Sequence, residues 1–306
     1  MTEQPQVPEA DFRSYYGRPI LKLPRWKEPH LPAYLYLGGL SGASAVMGAA
    51  AAATGRRSLA RAGRLTGAAA GAGGTVFLIS ELGRPERFLN MLRVAKPTSP
   101  MSMGAWVLAA HSSLASAAAA SEVTGVLPGL GAAAGVASAV TGPILATYTG
   151  VLLADTAVPA WHEAQRELPF LFAGSAMASA GAAGLAATAL GPGRDRAPAA
   201  RLAVIGAAVE LAAALHLERA LGLTGETYQQ GGAGQMMRAA RWLAPAGALA
   251  ALAAPRSRVA AVAAAGLLTA GAVATRFGVF RAGPASVADP KYVIASQRDG
   301  AAPRPR

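Results

Sequence analysis

Apolar residues in this chain run in long unbroken stretches separated by short polar breaks. Eight stretches approach the roughly 20 residues that a helix needs to cross a bilayer. They lie at about 31–53, 63–81, 102–120, 131–155, 168–190, 199–218, 241–255 and 258–277. The pattern predicts an all-α integral membrane protein, a bundle of about eight transmembrane helices. A polar segment, 1–30, precedes that domain (31–277) and a polar tail, 278–306, follows it. Thr54-Gly55-Arg56-Arg57, Leu127-Pro128-Gly129 and Gly191-Pro192-Gly193-Arg194 punctuate the breaks. The seventh stretch is short, and Pro255, Arg256 and Arg258 leave a very tight turn before the eighth.

Glycines recur four residues apart inside the stretches: Gly38 and Gly42, Gly67 and Gly71, Gly131 and Gly135. Such pairs let helix backbones approach closely in lipid, where large apolar side chains gain nothing by meeting. A phosphate cradle at Gly71-Ala72-Gly73-Gly74 is the other reading, but no strand precedes it and no Lys follows. Eight spans put both ends of the chain on one face, side A. Side A also carries the longer connections, about 82–101, 156–167 and 219–240, and side B only short turns. An elaborate face opposite a bare one suits docking of a partner, although long loops also serve as linkers.

Composition agrees. Of 306 residues, 53% are hydrophobic and only 14% charged, too few to coat a soluble surface of this size. The long apolar stretches exclude disorder. Without cysteine the chain can form no disulfide and offers no thiolate to zinc or an iron–sulfur cluster. The net charge of +12 lies almost wholly between apolar stretches, as expected of Arg at lipid headgroups, and no basic–aromatic array suggests nucleic acid. Residues 1–30 have no apolar h-region, so no cleavable signal peptide is expected. Side A holds more Lys and Arg in total, whereas side B concentrates them in short turns. Because the positive-inside rule is strongest for short segments, the reading leans to side B inside.

Ionisable groups within spans are costly and become functional candidates. His30 and Tyr34 share a face at the side A start of the first span, and Glu81 lies at the side A end of the second. Tyr148 and Asp155, seven apart with Thr141 seven before, share a face of the fourth. Glu210, His216 and Glu218 lie in the sixth but spread too far in angle to face one pocket. The first, second, fourth and sixth spans thus bring polar groups to one depth near side A. Plainer readings stand beside these: Glu81 paired with Arg84, Asp155 in headgroup water, Tyr148 in an aromatic belt, Glu218 paired with Arg219. His111, mid-way along the third span, reads as a hydrogen-bonded packing residue, and Glu210 as either a buried structural acid or a proton carrier. Together Glu210 and His111 are candidates for a proton relay, although no unbroken polar series joins the faces. No metal site is expected. A bis-histidine haem would need His111 and His216 at matched depth, which their positions do not give.

Two segments are more specific: Glu81-Leu82-Gly83-Arg84-Pro85 and Lys96-Pro97-Thr98-Ser99-Pro100-Met101-Ser102-Met103-Gly104-Ala105-Trp106. With Tyr148-Thr149-Gly150-Val151-Leu152-Leu153, Arg276-Phe277-Gly278-Val279-Phe280 and Asp289-Pro290-Lys291-Tyr292, they resemble the NrfD/polysulfide reductase membrane-subunit family over essentially the whole chain. The resemblance implies a quinone/quinol-reactive anchor subunit of an oxidoreductase in the bacterial cytoplasmic membrane. Its partners would be a four-cluster iron–sulfur ferredoxin-like protein and a molybdopterin catalytic subunit. Glu81 and Tyr148 match positions associated with the quinone pocket. His30 and Tyr34 are first-helix candidates, and Arg84 and Asp155 possible additions. Tyr and His can donate hydrogen bonds to quinone oxygens, and a carboxyl in a low-dielectric site can carry protons. The Arg-, Ala- and Gly-rich composition suggests a GC-rich bacterium and menaquinone rather than ubiquinone. With no redox centre evident, electrons would have to come from the iron–sulfur partner. A proton or solute transporter would need a continuous polar path, and a purely structural anchor would not need Glu81 and Tyr148.

Overall fold

A computed structural model describes residues 19–191 and 193–294. The described chain is helical throughout, without strands. Eight long helices stand where the apolar stretches predict them: α1 His30–Ala53, α2 Arg57–Glu81, α4 Pro100–Thr124, α5 Pro128–Ala154, α7 Leu168–Thr188, α8 Gly193–Ala220, α9 Gly231–Ala253 and α10 Arg258–Ala288. Two short helices, α3 Arg87–Met91 and α6 Pro159–Glu163, and a 3-10 turn, Leu223–Tyr228, occupy the three longer connections. Five helices (α1, α5, α7, α8 and α10) are long and apolar enough to cross a membrane. The architecture is that of a membrane helical bundle.

The predicted bounds err most near the end of the chain. Helix α9 begins at Gly231, so the loop expected over 219–240 is mostly helix, and α10 continues past 277 to Ala288. Both extensions carry Arg and Gly, which break an apolar stretch but not a helix. Ser257 caps α10, its hydroxyl accepting from the Ala260 amide at 3.2 Å, and so fixes the tight turn. The outer segments 1–18 and 295–306 lie outside the described residues.

Small residues set the packing. Neighbouring helices run antiparallel: Gly48 meets Gly63, Gly131 meets Ser121, Gly181 meets Ala203, and Gly247 meets Leu268. The closest approach is Gly42 of α1 against Gly142 of α5, where a Cβ on either would strike the other's carbonyl. Inside are chiefly Ala, Gly and Leu; outside are Val76, Trp106, Val140, Ile144, Phe170, Trp242, Leu249 and Val259. Large apolar groups facing outward and small ones inward suit helices surrounded by lipid.

The bundle has two halves. Helices α1, α2, α4 and α5 form one, and α7–α10 the other, with α1 and α5 packed on α7. Side B turns are stitched by arginine: Arg56 Nη1 donates to the Arg194 carbonyl at 2.7 Å and Arg196 Nη1 to that of Ala254 at 3.2 Å. These arginines bind protein rather than acting only as headgroup anchors. On side A the segment before α1 is strapped down. Trp26 stacks on Trp161 at 5.6 Å, Glu28 takes two hydrogen bonds from Arg281, and the Trp161 indole donates to the Val279 carbonyl at 2.7 Å.

Candidate functional site

At the side A end of the first half, three helices bring four of the expected residues together. Helix α1 supplies His30 and, one turn on, Tyr34. Helix α2 runs antiparallel and places Gly74, Phe77 and Glu81 on the facing side. Tyr34 lies against Gly74 and is fully buried, and the His30 ring meets Phe77 edge-on at 6.2 Å. Glu81 is the last residue of α2, where Leu82-Gly83 turns the chain; Gly83 has φ +68°, a conformation that suits glycine.

Glu81 does not pair with Arg84. Its Oε1 accepts from the Lys27 amide at 2.8 Å, and its Oε2 faces His30 Nδ1 at 4.0 Å. That separation is too long for a hydrogen bond. The Glu81 side chain is only 7% exposed, and Oε2 and Nδ1 are both buried without a partner. Two complementary polar atoms therefore face each other, each unsatisfied by the protein, at a site where the His30 side chain is partly exposed. Arg84 is exposed in the turn.

Tyr148 reaches the same region from α5. Its ring occupies the place where a side chain at position 104 would begin: a Cβ on Gly104 would fall inside the phenol. This explains a feature of the Pro-Met-Ser-Met-Gly-Ala-Trp segment that carried no role in the sequence reading. Tyr34 and Tyr148 lie within electrostatic range of each other. Asp155 remains apart. It caps the end of α5 and is exposed, seven residues from Tyr148 but beyond the helix that would align them.

A family model described as polysulphide reductase, NrfD, matches residues 25–288. The chain belongs to this family. Among curated proteins none matches it. The NrfD match begins just before the strapped segment and ends with α10, so it covers both halves of the bundle.

The remaining candidates lie away from this cluster. His111 is fully buried at mid-bundle, with Nε2 3.0 Å from Ser41 Oγ and Nδ1 3.0 Å from Thr141 Oγ1. Glu210 belongs to the other half, 4% exposed, and its Oε1 accepts from Thr275 Oγ1 at 2.6 Å. Next to Thr275 is Arg276, 1% exposed, which donates to the Phe172 carbonyl at 3.0 Å and lies over the Phe172 ring at 3.7 Å. In the sequence Arg276 is marked only by the Arg276-Phe277-Gly278-Val279-Phe280 segment, yet a cation in an apolar stretch is itself a signal of a buried partner. Glu218 pairs with Arg241 rather than Arg219. His111 and His216 lie in different halves, and His216 is mostly exposed beside Glu167.

Proposed function

We propose that this protein is the quinone-reactive membrane subunit of a multi-subunit oxidoreductase. It passes electrons between a four-cluster iron–sulfur partner on side A and the quinone pool, menaquinone in the first instance. A molybdopterin subunit beyond that partner sets the substrate. The observation that carries the reading is the unsatisfied pair His30 Nδ1 and Glu81 Oε2 beside Tyr34 and Tyr148. A buried polar atom without a partner is costly, and a bound polar group relieves that cost.

All eight long helices cross the bilayer of a bacterial cytoplasmic membrane. Helices α2, α4 and α9 have 25, 25 and 23 residues, about 35–38 Å at 1.5 Å per residue, against a hydrocarbon core of about 30 Å. Each packs antiparallel on a more apolar helix, α1, α5 and α10 respectively, which carries it through.

A bound quinone supplies two-electron, two-proton chemistry. The residues fit such a group. His30 Nδ1, when protonated, and the Tyr148 hydroxyl would donate hydrogen bonds to its oxygens. Phe77 and the Tyr34 ring would supply apolar walls. Glu81 Oε2, the end of a buried carboxyl, is placed to give or take a proton, and the Lys27 amide on Oε1 holds it towards His30. Arg84, exposed at the turn, is available to the partner. In membranes containing the assembled complex, Glu81→Gln and Tyr148→Phe should each lower quinol turnover at least tenfold while the complex keeps its iron and its substrate reaction with artificial electron carriers. Full quinol turnover in both variants would remove the assignment.

A further inference from the structure

Three consecutive residues ahead of α1 reach two different parts of the bundle. The Lys27 amide donates to Glu81 Oε1 on α2 at 2.8 Å. Its neighbours turn the other way. Trp26 stacks on Trp161 at 5.6 Å, with the rings inclined by 30°. Glu28 accepts two hydrogen bonds from Arg281 of α10, at 2.6 and 3.1 Å, a two-pronged contact that fixes direction as well as distance. Lys27 is tied through its carbonyl too, which accepts from the Leu31 amide at 3.1 Å and so begins α1. One residue's backbone therefore meets both members of the unsatisfied pair. Its N–H holds Glu81, and its C=O holds the turn that carries His30.

The anchors on the far side are themselves fixed. Trp161 is fully buried. Its indole N–H donates to the Val279 carbonyl at 2.7 Å, its ring lies 6.1 Å from that of Phe280, and a Cβ on Gly283 would fall on the indole. Arg281 leaves the same turn of α10. The stretch just before Trp26 gives weaker support. It borders an open cleft of about 440 Å³, walled by Leu21, Pro24, Ala157 and Val158. Magnitudes separate holding from stabilising. Arg281 and Glu28 are 35% and 33% exposed, and an ion pair in that setting adds little to folding stability. Its geometry counts for more, because displacing a reacting group by about 1 Å can cost two orders of magnitude in rate.

We infer that Trp26, Glu28, Trp161 and Arg281 are positioning residues for Glu81, so that α10, in the second half of the bundle, sets the geometry of the site in the first. They act through the Lys27 peptide. Held in place, its N–H occupies Glu81 Oε1 and leaves Oε2 facing His30. Released, it swings away, Oε1 loses its donor, and the carboxyl is free to rotate. The consequence for turnover rests on the quinone reading; the coupling of α10 to Glu81 does not.

The test uses the full chain in its complex, in lipid vesicles, with ¹⁵N at the lysine backbone nitrogens and no added quinone. Subtracting the spectrum of Lys27→Arg isolates the Lys27 amide, and Glu81→Ala marks its unbonded position. Trp26→Ala and Arg281→Lys should each move the Lys27 amide proton towards that position and speed its exchange with solvent about tenfold. Glu28→Arg combined with Arg281→Glu rebuilds the ion pair and should bring the signal back. In quinol turnover, Trp26→Ala and Arg281→Lys should each lower kcat about tenfold and leave KM within about twofold. Placed on Glu81→Gln they should lower kcat no further, since all three changes act through one carboxyl. Arg281→Lys, at a partly exposed position, carries the test alone should Trp26→Ala fail to assemble. A Lys27 signal that stays in place, or losses that multiply with that of Glu81→Gln, overturns the proposal. A displaced Lys27 signal with unaltered quinol turnover upholds the coupling and removes the quinone reading of Glu81 instead.

Discussion

The two halves of the bundle use the same small-residue packing and both bury hydroxyls, but only the second buries full charges in mid-span. In α1, α2, α4 and α5 the buried groups are a histidine, hydroxyls, tyrosines and one acid at the side A end, arranged along one axis with glycine making room at each level. In α7–α10 buried hydroxyls (Ser175, Ser179, Thr188, Thr275, Ser286) are joined by buried charges at mid-helix. Glu210 and Arg276 lie on neighbouring helices without a direct ion pair, each held by a neutral neighbour, Thr275 and Phe172. Glu210 Oε2 and two Arg276 nitrogens remain without a protein partner. Arg276 also reaches across to α1, its Nη2 only 3.1 Å from where a Cβ on Gly39 would be. The first half holds its histidine through neutral hydroxyls, Ser41 and Thr141, which can serve as donor or acceptor. The second is suited to holding position, because a buried guanidinium needs its surroundings fixed.

Equivalent glycine substitutions in the two halves should therefore break different things. Gly104→Leu puts its first carbon in the Tyr148 ring. The ring can swing aside, so the complex should assemble while quinol turnover falls about 100-fold, the scale of a misplaced reacting group. Gly174→Leu meets the Glu210 backbone, which has nowhere to go. It should prevent accumulation of folded protein rather than yield an inactive complex. Turnover per assembled complex, measured beside the amount assembled, distinguishes the outcomes. A Gly104→Leu enzyme of normal turnover would show that the Tyr148 position is unimportant.

Charge in the second half gives the next effect. Arg276→Met removes the donor to the Phe172 carbonyl and leaves Glu210 buried without its electrostatic neighbour, and should lower the unfolding temperature clearly. Glu210→Gln leaves the cation alone and should also destabilise. The double variant should be more stable than Arg276→Met, since neither charge then remains. Thermal unfolding of the three variants in one detergent supplies the comparison. Strict additivity would mean that the two charges do not sense each other.

The sequence discloses these two chemistries unequally. Span positions follow from apolar length, and the glycine pairs announce close helix contacts. Gly42 against Gly142 and Gly67 against Ser41 follow that logic. The face shared by His30 and Tyr34 is also readable, since i and i+4 coincide on a helix. What spacing cannot give is angle between helices. It therefore offered Arg84 as a partner for Glu81, where the fold brings His30 and the Lys27 amide. Asp155 was aligned with Tyr148 by continuing a helix that stops at Ala154. Gly104 and Arg276 were visible as motif residues, but their roles depend on which helix lies opposite, a tertiary fact.

The smallest effect is expected outside both halves, where charge meets water. On side A, Lys291 Nζ donates to Glu226 Oε2 at 3.0 Å, and the Tyr292 hydroxyl donates to the same oxygen at 3.2 Å. The hydrogen bond from Lys291 holds the Glu226 carboxyl below its ordinary pKa, and the same bond raises that of the Lys291 ammonium. The two shifts act at opposite ends of the pH scale. Glu226 contributes stability above its unfolded pKa, about 4.3, and loses it as pH falls through the lower folded value. Lys291 contributes below its unfolded pKa, about 10.4, and loses it as pH rises through the higher folded value. Between those limits the pair is fully charged, and its contribution should be flat. Solvent screens an exposed pair, so Glu226→Gln should barely shift the unfolding temperature at neutral pH, far less than Arg276→Met. The difference between wild type and Glu226→Gln should shrink to nothing as the medium is acidified through the lowered folded pKa of Glu226 and should weaken in high salt. A difference that persists unchanged in acid would mean that Glu226 acts through packing rather than charge, and the contrast between exposed and buried charge would then have to be redrawn.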